Sequence, residues 1–170
     1  RCVSRSSYRR FAPVSLELSR LTQRWGIVNS DAESLHLWKA ALEGAGMRYV
    51  RTGAWVKRDS MPQFSGDRPA VGFEPCTIVH AQGKMRWNGG GNRALWDYPT
   101  VKGGSGERPD HPCPKPLPLM KQQIMQFTDP GEVILDPFMG SGTTLRAAKT
   151  LGRKAIGIEV NEAFCEAAAL

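Results

Sequence analysis

The residues best suited to chemistry lie near the carboxyl end of the sequence, where a glycine-rich turn stands between two apolar runs. The order is Glu132-Val-Ile-Leu-Asp-Pro-Phe-Met-Gly-Ser-Gly-Thr-Thr144, a helix-like stretch, and then Lys154-Ala-Ile-Gly-Ile-Glu-Val160. Glycines let the backbone approach a charged ligand and adopt conformations that other residues resist. Glu159 follows Asp136 by 23 residues, and an acid about 20 residues beyond such a turn suits the hydroxyls of a ribose. The pattern predicts a site for a nucleotide-type cofactor.

Two buried parallel strands and a helix must position this turn. Val133 to Leu135, and then Ala155, Ile156 and Ile158, form the short apolar runs that buried parallel strands show. Thr143 and Thr144 open a helix whose N-terminal amides can meet a carboxylate or a phosphate. The sequence contains neither Gly-x-Gly-x-x-Gly nor Gly-Lys-Ser/Thr, the usual dinucleotide and phosphate loops. A glycine-rich turn in an unrelated doubly wound protein is the alternative interpretation.

The residue types in the turn are more specific than the order of the elements around it. Asp-Pro-Phe-x-Gly-Ser-Gly-Thr-Thr, residues 136–144, resembles the S-adenosylmethionine-binding motif of the DNA amino-methyltransferases, which methylate adenine N6 or cytosine N4. His111-Pro-Cys-Pro-Lys-Pro116 is similar to the family's His-x-x-x-Lys-Pro segment, with Pro114 where Gln is more usual. Segments at 55–57, 64–69 and 87–91 look like those of phage and prophage members. The resemblance covers nearly the whole chain, in the permuted order of the beta class.

The resemblance implies an α/β, Rossmann-like S-adenosylmethionine-dependent methyltransferase fold. Residues 1–170 would form a single, incomplete domain, with catalytic-half strands and an edge hairpin at 25–80, a DNA-contact loop at 82–112 and a cofactor-binding half at 111–170. The family's catalytic motif, Asp/Asn/Ser-Pro-Pro-aromatic, is missing, since the sequence contains no Pro-Pro pair. We therefore expect the catalytic strand upstream of Arg1, and an N-terminally truncated fragment with no catalytic residues that is inactive alone.

The missing strand would normally lie between the strand ending at Asp136 and the one starting at Trp25, so these two should not pair. The remaining elements follow from periodicity and turn residues. We expect helices at 14–24, 32–43 and 117–127, strands at 25–30, 47–57 and 73–80, and a Pro/Gly loop at 61–72.

The resemblance also implies S-adenosyl-L-methionine as the cofactor and assigns roles around it. Glu159 would accept from the ribose hydroxyls, the turn would cradle the ribose and methionine end, and Lys115 would neutralise the methionine carboxylate. For three residues there is an alternative role. Lys115 could instead be a surface residue at a helix start, and Phe138 could equally well pack in the core. For Asn161 we favour a helix cap over a contact with adenine. The expected cofactor set is Asp136, Phe138, Gly140, Ser141, Gly142, Thr143, Thr144, Glu159, Lys115 and Pro116.

The expected DNA surface is a long glycine-rich segment, residues 82–112, in which basic and aromatic residues alternate. Arg and Lys suit phosphates, and tryptophans can stack on bases or wedge beside them. We expect this segment to be structureless, although a glycine-rich loop with buried tryptophans is the alternative. Residues 1–10 should form a mobile basic segment near the flipped base or, alternatively, a solvated tail. The expected DNA-binding set is Arg86, Trp87, Arg93, Trp96, Arg9 and Arg10.

Composition limits the classes of function. The chain has 170 residues, a formal net charge of +7 and a pI of about 9.5, which favours an acidic partner such as nucleic acid. Its 4 cysteines and 3 histidines show no metal-ligand spacing, so we expect no metal, with Cys76 and Cys165 in the core as reduced thiols of a cytoplasmic protein. There is no long apolar run, and we expect no membrane association.

The parent protein is therefore expected to be a site-specific methyltransferase of double-stranded DNA that acts on a flipped base. Adenine N6 is favoured over cytosine N4 as the target. We also expect a role in restriction-modification. A non-catalytic module that binds S-adenosylmethionine or nucleic acid is one alternative. An RNA or small-molecule methyltransferase of the same fold is the other. The long basic aromatic segment argues against this last alternative.

Overall fold

A computed structural model describes residues 5–101 and 114–169, and side chains from residue 11 to residue 168 within those ranges. No helix in this part is long and apolar enough to cross a membrane. The elements are α1 (Arg5–Leu21), β1 (Trp25–Asn29), α2 (Leu35–Gly44), β2 (Arg48–Lys57), β3 (Phe73–His80), β4 (Leu95–Tyr98), α3 (Leu117–Phe127), β5 (Val133–Asp136), α4 (Thr143–Thr150), β6 (Lys154–Gly157) and α5 (Glu162–Ala169).

The described residues fall into two compact units. Of these residues, unit 1 comprises 5–56, 71–86 and 92–96, and unit 2 comprises 57–70, 87–91, 97–101 and 114–169. The strands form a four-stranded sheet of order β1-β3-β2-β4 and a two-stranded sheet of β5 and β6. The α/β prediction is therefore confirmed, and among the described strands β5 and β1 are not paired with each other, as expected. The missing catalytic strand itself remains a prediction.

In unit 1, β3 lies in the middle of its sheet and runs antiparallel to both β1 and β2. A small core on the sheet is formed by Leu42, Met47 and Val79. Leu18, Val28 and Trp38 pack against this core, and the ring of Phe11 meets Trp38 edge-on at 4.7 Å. The apolar faces of α1 and α2 thus cover the sheet, which is how amphipathic helices bury their apolar residues.

Three predictions about the four-stranded sheet and the segments around it were wrong. The hairpin of β2 and β3 exists, but it is not at the sheet edge, because β4 pairs beyond β2. β4 lies inside the segment 82–112 that was expected to be structureless. Its alternation of exposed Leu95 and buried Trp96 is only four residues long and stands among glycines, so the periodicity was too short to detect. In addition, α1 begins at Arg5, so the expected mobile segment 1–10 is helical from that residue onwards.

Gly53 shows why β4 packs where it does. A Cβ atom at this position would lie 2.8 Å from the indole of Trp96 and 3.0 Å from the sulfur of Cys76. The amide of Ala54 donates to the carbonyl of Ala94 at 3.0 Å. The absent side chain therefore makes room for Trp96, which is only 1% exposed.

Unit 2 is built on a βαβ arrangement. β5 and β6 run parallel, with Leu135 opposite Ile156 and Asp136 opposite Gly157. Helix α4 connects the two strands and packs on them and on α3. The predicted helix at 117–127 is confirmed, and its inward residues Leu119, Ile124 and Phe127 are all buried.

Residues 87–91 are attached to the carboxyl end of α3. The amide of Asn88 donates to the carbonyl of Gln126 at 3.0 Å, and its side-chain nitrogen donates to the carbonyl of Thr128 at 2.9 Å. The ring of Trp87 meets Phe127 edge-on at 4.8 Å. This segment is therefore part of the structure of unit 2.

The apolar runs of β5 and β6 are less buried than predicted. Ile156 is 55% exposed, Ile158 is 53% exposed and Val133 is 58% exposed. The reason is that α4 packs on one face of this two-stranded sheet, the face on which Leu145 comes within contact of the Gly157 position. Parallel sheets are normally covered on both faces, and the prediction assumed that second cover.

Candidate cofactor-binding site

The glycine-rich loop, defined here as residues 136–142, leads from β5 into α4. Gly140 and Gly142 have φ angles of 50° and 76°, a left-handed conformation that costs other residues energy. Gly142 is the N-cap of α4, and its amide donates to the carbonyl of Met139 at 2.8 Å. The predicted helix start at Thr143 is confirmed. Because Gly142 carries no side chain to cap the helix, the first amides of α4 lie at a backbone-lined terminus suited to an anion.

Glu159 closes the other side of the site. Its Oε2 atom accepts from the amide of Gly140 at 3.0 Å. Its Oε1 atom accepts from the amides of Val160 and Asn161, both at 2.9 Å. The carboxylate therefore links the end of the β6 segment to the glycine-rich loop, 19 residues away in the chain.

Further backbone bonds hold the loop and the β6 segment together. The amide of Ile158 donates to the carbonyl of Asp136 at 2.9 Å, and the amide of Met139 donates to the carbonyl of Ile158 at 3.1 Å. The side chain of Asp136 accepts from the amide of Phe138 at 3.1 Å and so shapes the first turn of the loop. Because β5 and β6 run parallel, their carboxyl ends lie at the same edge of the sheet. The site lies at this edge, where open α/β sheets bind ligands.

Other members of the predicted set differ in exposure. Ser141 and Thr143 are buried, at 5% and 7% exposed, and Thr144 is half-buried. Phe138 is 66% exposed, so its ring is not part of the core, which was the alternative. The side chain of Asn161 accepts from the amide of Ala163 at 3.0 Å, so it caps α5, as favoured.

Lys115 and Pro116 precede α3 in the same unit. Pro116 is the buried N-cap of that helix, and Lys115 is half-buried. They end the segment 111–116, and its first residue, His111, lies outside the described residues. The role of Lys115 toward the cofactor stays a prediction.

The contact between α5 and the loop was not predicted from the sequence. A Cβ atom at Gly142 would lie 2.7 Å from the Cβ atom of Ala168, and one at Gly157 would lie 2.8 Å from a methyl group of Leu145. Glycine at 142 is thus required by packing as well as by its φ angle. The run of small residues at the end of α5 was the available signal, since small side chains allow close approach.

The predicted DNA-binding residues are placed in different environments. Arg86 and Arg93 are exposed, and the carbonyl of Arg86 accepts from the indole of Trp25 at 2.6 Å. Trp96 is buried in unit 1, so the prediction that it stacks on a base is corrected: its indole fills the space above Gly53. Trp87 is half-buried, and its indole nitrogen donates to the carbonyl of Gly90 at 2.9 Å.

Arg9 and Arg10 lie on α1, but their side chains are outside the described residues.

The titratable groups of the described residues show one large shift. Burial raises the pKa of the Cys76 thiol to about 12. Cys76 is 1% exposed, as predicted for the core, whereas Cys165 is only half-buried and its thiol donates to the carbonyl of Glu159. Among the described residues there is no group of three or more His, Cys, Asp or Glu side chains placed to hold a metal ion.

A parallel βαβ unit with a glycine-rich loop and an acid at the carboxyl ends of its strands defines an α/β protein of the class that binds nucleotide-type cofactors. The N6_N4_Mtase family, described as DNA methylase, matches residues 14–170. The chain therefore belongs to this family of DNA methylases.

Relatives and solved structures are consistent with this family. The chain is 44% identical over 70 residues to DNA adenine methyltransferase YhdJ of Escherichia coli (strain K12), across 41% of this chain and 24% of that protein. It is 36% identical over 74 residues to the Type II methyltransferase M.HpaI of Haemophilus parainfluenzae, across 44% of this chain and 24% of that protein. The matched stretches thus span about a quarter of the length of these relatives.

Among solved structures, the M1.HpyAVI-SAM complex matches with a TM-score of 0.83 and 27% identity, across 97% of this chain and 83% of that chain. The PvuII DNA methyltransferase, described as cytosine-N4-specific, matches with a TM-score of 0.69 and 16% identity, across 85% of this chain and 62% of that chain. At that identity the second likeness concerns the fold alone.

Proposed function

We propose that this chain carries the S-adenosyl-L-methionine site, and part of the DNA surface, of a DNA amino-methyltransferase. The observation that carries the proposal is the hydrogen bond from Gly140 to Glu159, which joins the glycine-rich loop to the acid in one site. The S-adenosylmethionine named in the M1.HpyAVI complex and the family match support the choice of cofactor. The protein in that complex has the same fold as this chain.

The residues present fit this cofactor. The carboxylate of Glu159 already accepts from backbone amides, so it is a charged acceptor, and a ribose hydroxyl would join or replace Gly140 at Oε2. Hydrogen bonds to a charged group are worth about 1.5–3 kcal/mol each. The first amides of α4 would receive the methionine carboxylate, helped by Lys115. The exposed ring of Phe138 would cover one face of the bound molecule.

When bound, the cofactor supplies an electrophilic methyl group on a sulfonium. The acceptor in our proposal is an exocyclic amine of a base flipped from double-stranded DNA, adenine N6 in preference to cytosine N4. The name of the Escherichia coli relative, DNA adenine methyltransferase, supports adenine. What this chain's residues contribute is orientation, because they fix the ribose and the methionine end and thereby aim the methyl group.

Arg86 and Arg93, both exposed, would contact DNA phosphates. The M.HpaI relative is a Type II methyltransferase, which supports a place in a restriction-modification system. With DNA as its substrate, the parent enzyme would act in the cytoplasm.

A second candidate is a module that binds S-adenosylmethionine without catalysing transfer. The observation that favours it for the chain taken alone is the lack of any Pro-Pro-aromatic segment in the sequence. An exocyclic amine needs acceptors that localise its lone pair, and that segment supplies them in the beta-class enzymes this chain resembles. The permuted beta-class order and the phage-type character belong to our first proposal, the DNA amino-methyltransferase.

The experiment that separates the two candidates has two parts. Calorimetric titration with S-adenosylmethionine should give saturable binding under both. Incubation with methyl-labelled S-adenosylmethionine and unmethylated duplex DNA should give no label in the DNA for residues 1–170, but label, under the first candidate, for a longer chain that supplies a Pro-Pro-aromatic segment. Absence of cofactor binding would contradict both candidates.

A further inference from the structure

The loop between β2 and β3, residues 58–72, carries three of the most exposed apolar side chains among the described residues. Phe64 is 82% exposed, Val71 is 74% exposed and Met61 is 69% exposed. Isolated exposed apolar residues need no explanation, but three on one loop do. None of them belongs to the proposed cofactor site, and no function was predicted for this loop from the sequence.

The tip of the loop is a tight, internally bonded turn. The amide of Gly66 donates to the carbonyl of Gln63 at 3.1 Å, and Gly66 has a φ angle of 66°. The side chain of Gln63 donates to the hydroxyl of Ser65 at 2.8 Å, and that hydroxyl donates to Asp67. Phe64 is the second residue of this turn, so its backbone is part of a bonded turn while its ring is exposed.

The base of the loop is fixed to its own unit at two points. The guanidinium of Arg58 contacts the carboxylate of Asp97 at 3.1 Å. The amide of Thr100 donates to the carboxylate of Asp59 at 2.6 Å. Pro62 and Pro69 restrict the backbone on either side of the tip. A preorganised exposed aromatic loses little conformational entropy on binding.

The charges of the loop limit the kind of contact it can make. Arg58 is engaged by Asp97, which raises the pKa of that guanidinium through a hydrogen bond and charge, and Arg68 lies 3.6 Å from Asp67. The loop therefore presents exposed apolar side chains, Phe64 at its tip among them, and arginines that are paired with acids, rather than a cluster of free cations. Proteins that deform or open a duplex insert such side chains, Phe and Met among them, between base steps.

We propose that Phe64 is a wedge that enters the base stack of duplex DNA and helps to unstack the nucleotide that is to be methylated. This rests on the proposed function, because it takes DNA as the partner of a protein with net charge +7. Phe64 acts as a positioning residue on the DNA, and Met61, also exposed, precedes it by three residues. The wedge and the phosphate contacts of Arg86 and Arg93 are separate contributions to binding.

The test uses residues 1–170 and duplexes of mixed sequence that contain 2-aminopurine, whose fluorescence rises when the base is unstacked. The wild-type chain should raise the fluorescence. Phe64→Ala should lose most of that rise and weaken binding about fivefold or more, as expected for loss of one aromatic–base stack. Phe64→Leu should retain part of both, since a shorter apolar side chain can still enter the stack partway.

Two controls make the result specific. Met125→Ala removes another exposed apolar side chain, 46% exposed and on α3, and should change neither quantity. The dependence of binding on salt should be the same for Phe64→Ala and the wild type, because that dependence reports phosphate contacts. Thermal unfolding of each variant checks that the loop change leaves the fold intact.

Several outcomes would overturn the proposal. The first is equal fluorescence and affinity for Phe64→Ala and the wild type, and the second is no binding to any duplex. The third is a dimer of this chain that Phe64→Ala dissociates, which would make the loop a self-association surface.

Calorimetry with S-adenosylmethionine separates failure of the wedge from failure of the proposed function. If the cofactor binds but Phe64→Ala behaves as the wild type, only the wedge is wrong, whereas absence of cofactor binding contradicts the proposed function itself.

Discussion

Replacement of Glu159 by Ala should damage both the stability of unit 2 and its affinity for S-adenosylmethionine. The carboxylate accepts from three backbone amides, those of Gly140, Val160 and Asn161, at 2.9–3.0 Å. Each hydrogen bond to a charged group is worth about 1.5–3 kcal/mol when shielded. Glu159 is half-buried, so water replaces part of this, and we expect a loss of about 1–3 kcal/mol in the free energy of unfolding.

The effect on the cofactor follows from the hydrogen bonds that we propose between Glu159 and the ribose. Loss of one charged hydrogen bond corresponds to a rise in the dissociation constant of about tenfold or more. Glu159→Gln isolates the loop contact. If its amide oxygen keeps the bonds from Val160 and Asn161, its NH₂ group faces the Gly140 amide, and two donors then oppose each other. We expect Glu159→Gln to lose less stability than Glu159→Ala while its dissociation constant still rises.

Denaturant unfolding and isothermal titration calorimetry measure the two quantities. Glu162→Gln is the matched control, since Glu162 is an exposed carboxylate in the first turn of α5 and should change affinity by less than twofold, an expectation from the small value of exposed charges at helix ends. Wild-type affinity in Glu159→Ala, with the fold intact, would remove Glu159 from the cofactor site. Unchanged stability would mean that its three backbone bonds contribute nothing in solution.

Three further predictions concern other parts of the chain. Gly142→Ala places a Cβ atom 2.7 Å from that of Ala168 at a φ angle of 76°, so the free energy of unfolding should fall by about 1–3 kcal/mol; a smaller loss would show that α5 moves away freely. Cys76 has its pKa raised from 9.0 to about 12 by burial. The folded state therefore keeps a proton that the unfolded chain releases, and stability should fall with rising pH between about 9 and 12, by up to about 1.4 kcal/mol per pH unit; Cys76→Ala should lack this contribution when its denaturation curves are compared with the wild type. Finally, residues 1–170 should transfer no methyl group to duplex DNA, and sustained label incorporation by the purified chain would place a catalytic group within it.

The sequence predicted the elements with strong periodicity or strong punctuation. The helix at 117–127 and the strand at 73–80 were predicted with the bounds that the structure shows. Both are continuous amphipathic or apolar runs flanked by Pro or Gly. By contrast, α2 begins at Leu35 and not at Ala32, because Asp31 caps a turn through Ser34 before the helix starts.

What the sequence did not predict depends on contacts between distant residues. The position of β4 depends on the space above Gly53, which no local pattern records. The burial of Trp96 follows from that space, and so the apparently basic and aromatic segment 82–112 mixes core and surface residues. The exposure of Ile156 and Ile158 likewise depends on what covers the sheet, since their pattern is that of a buried strand.

The candidate site was predictable in its residue types and only partly in its geometry. A glycine-rich turn followed by an acid at the right spacing indicated that Glu159 and the loop would meet, and the structure brings Glu159 and Gly140 together. The three backbone bonds of that carboxylate were not foreseen, because they depend on the turn after β6. The packing of Ala168 on Gly142 was also missed, since it joins α5 to a loop 26 residues earlier.

The central claim, that S-adenosylmethionine binds at the glycine-rich loop, is tested most directly by photochemical crosslinking. Residues 1–170 would be irradiated with methyl-labelled S-adenosylmethionine, digested with trypsin and mapped by mass spectrometry. The label should appear in the peptide from Gln122 to Arg146, which contains the loop, and excess unlabelled S-adenosylmethionine should suppress it. Label confined to peptides of unit 1, or no label that competitor suppresses, would contradict the assignment of this site.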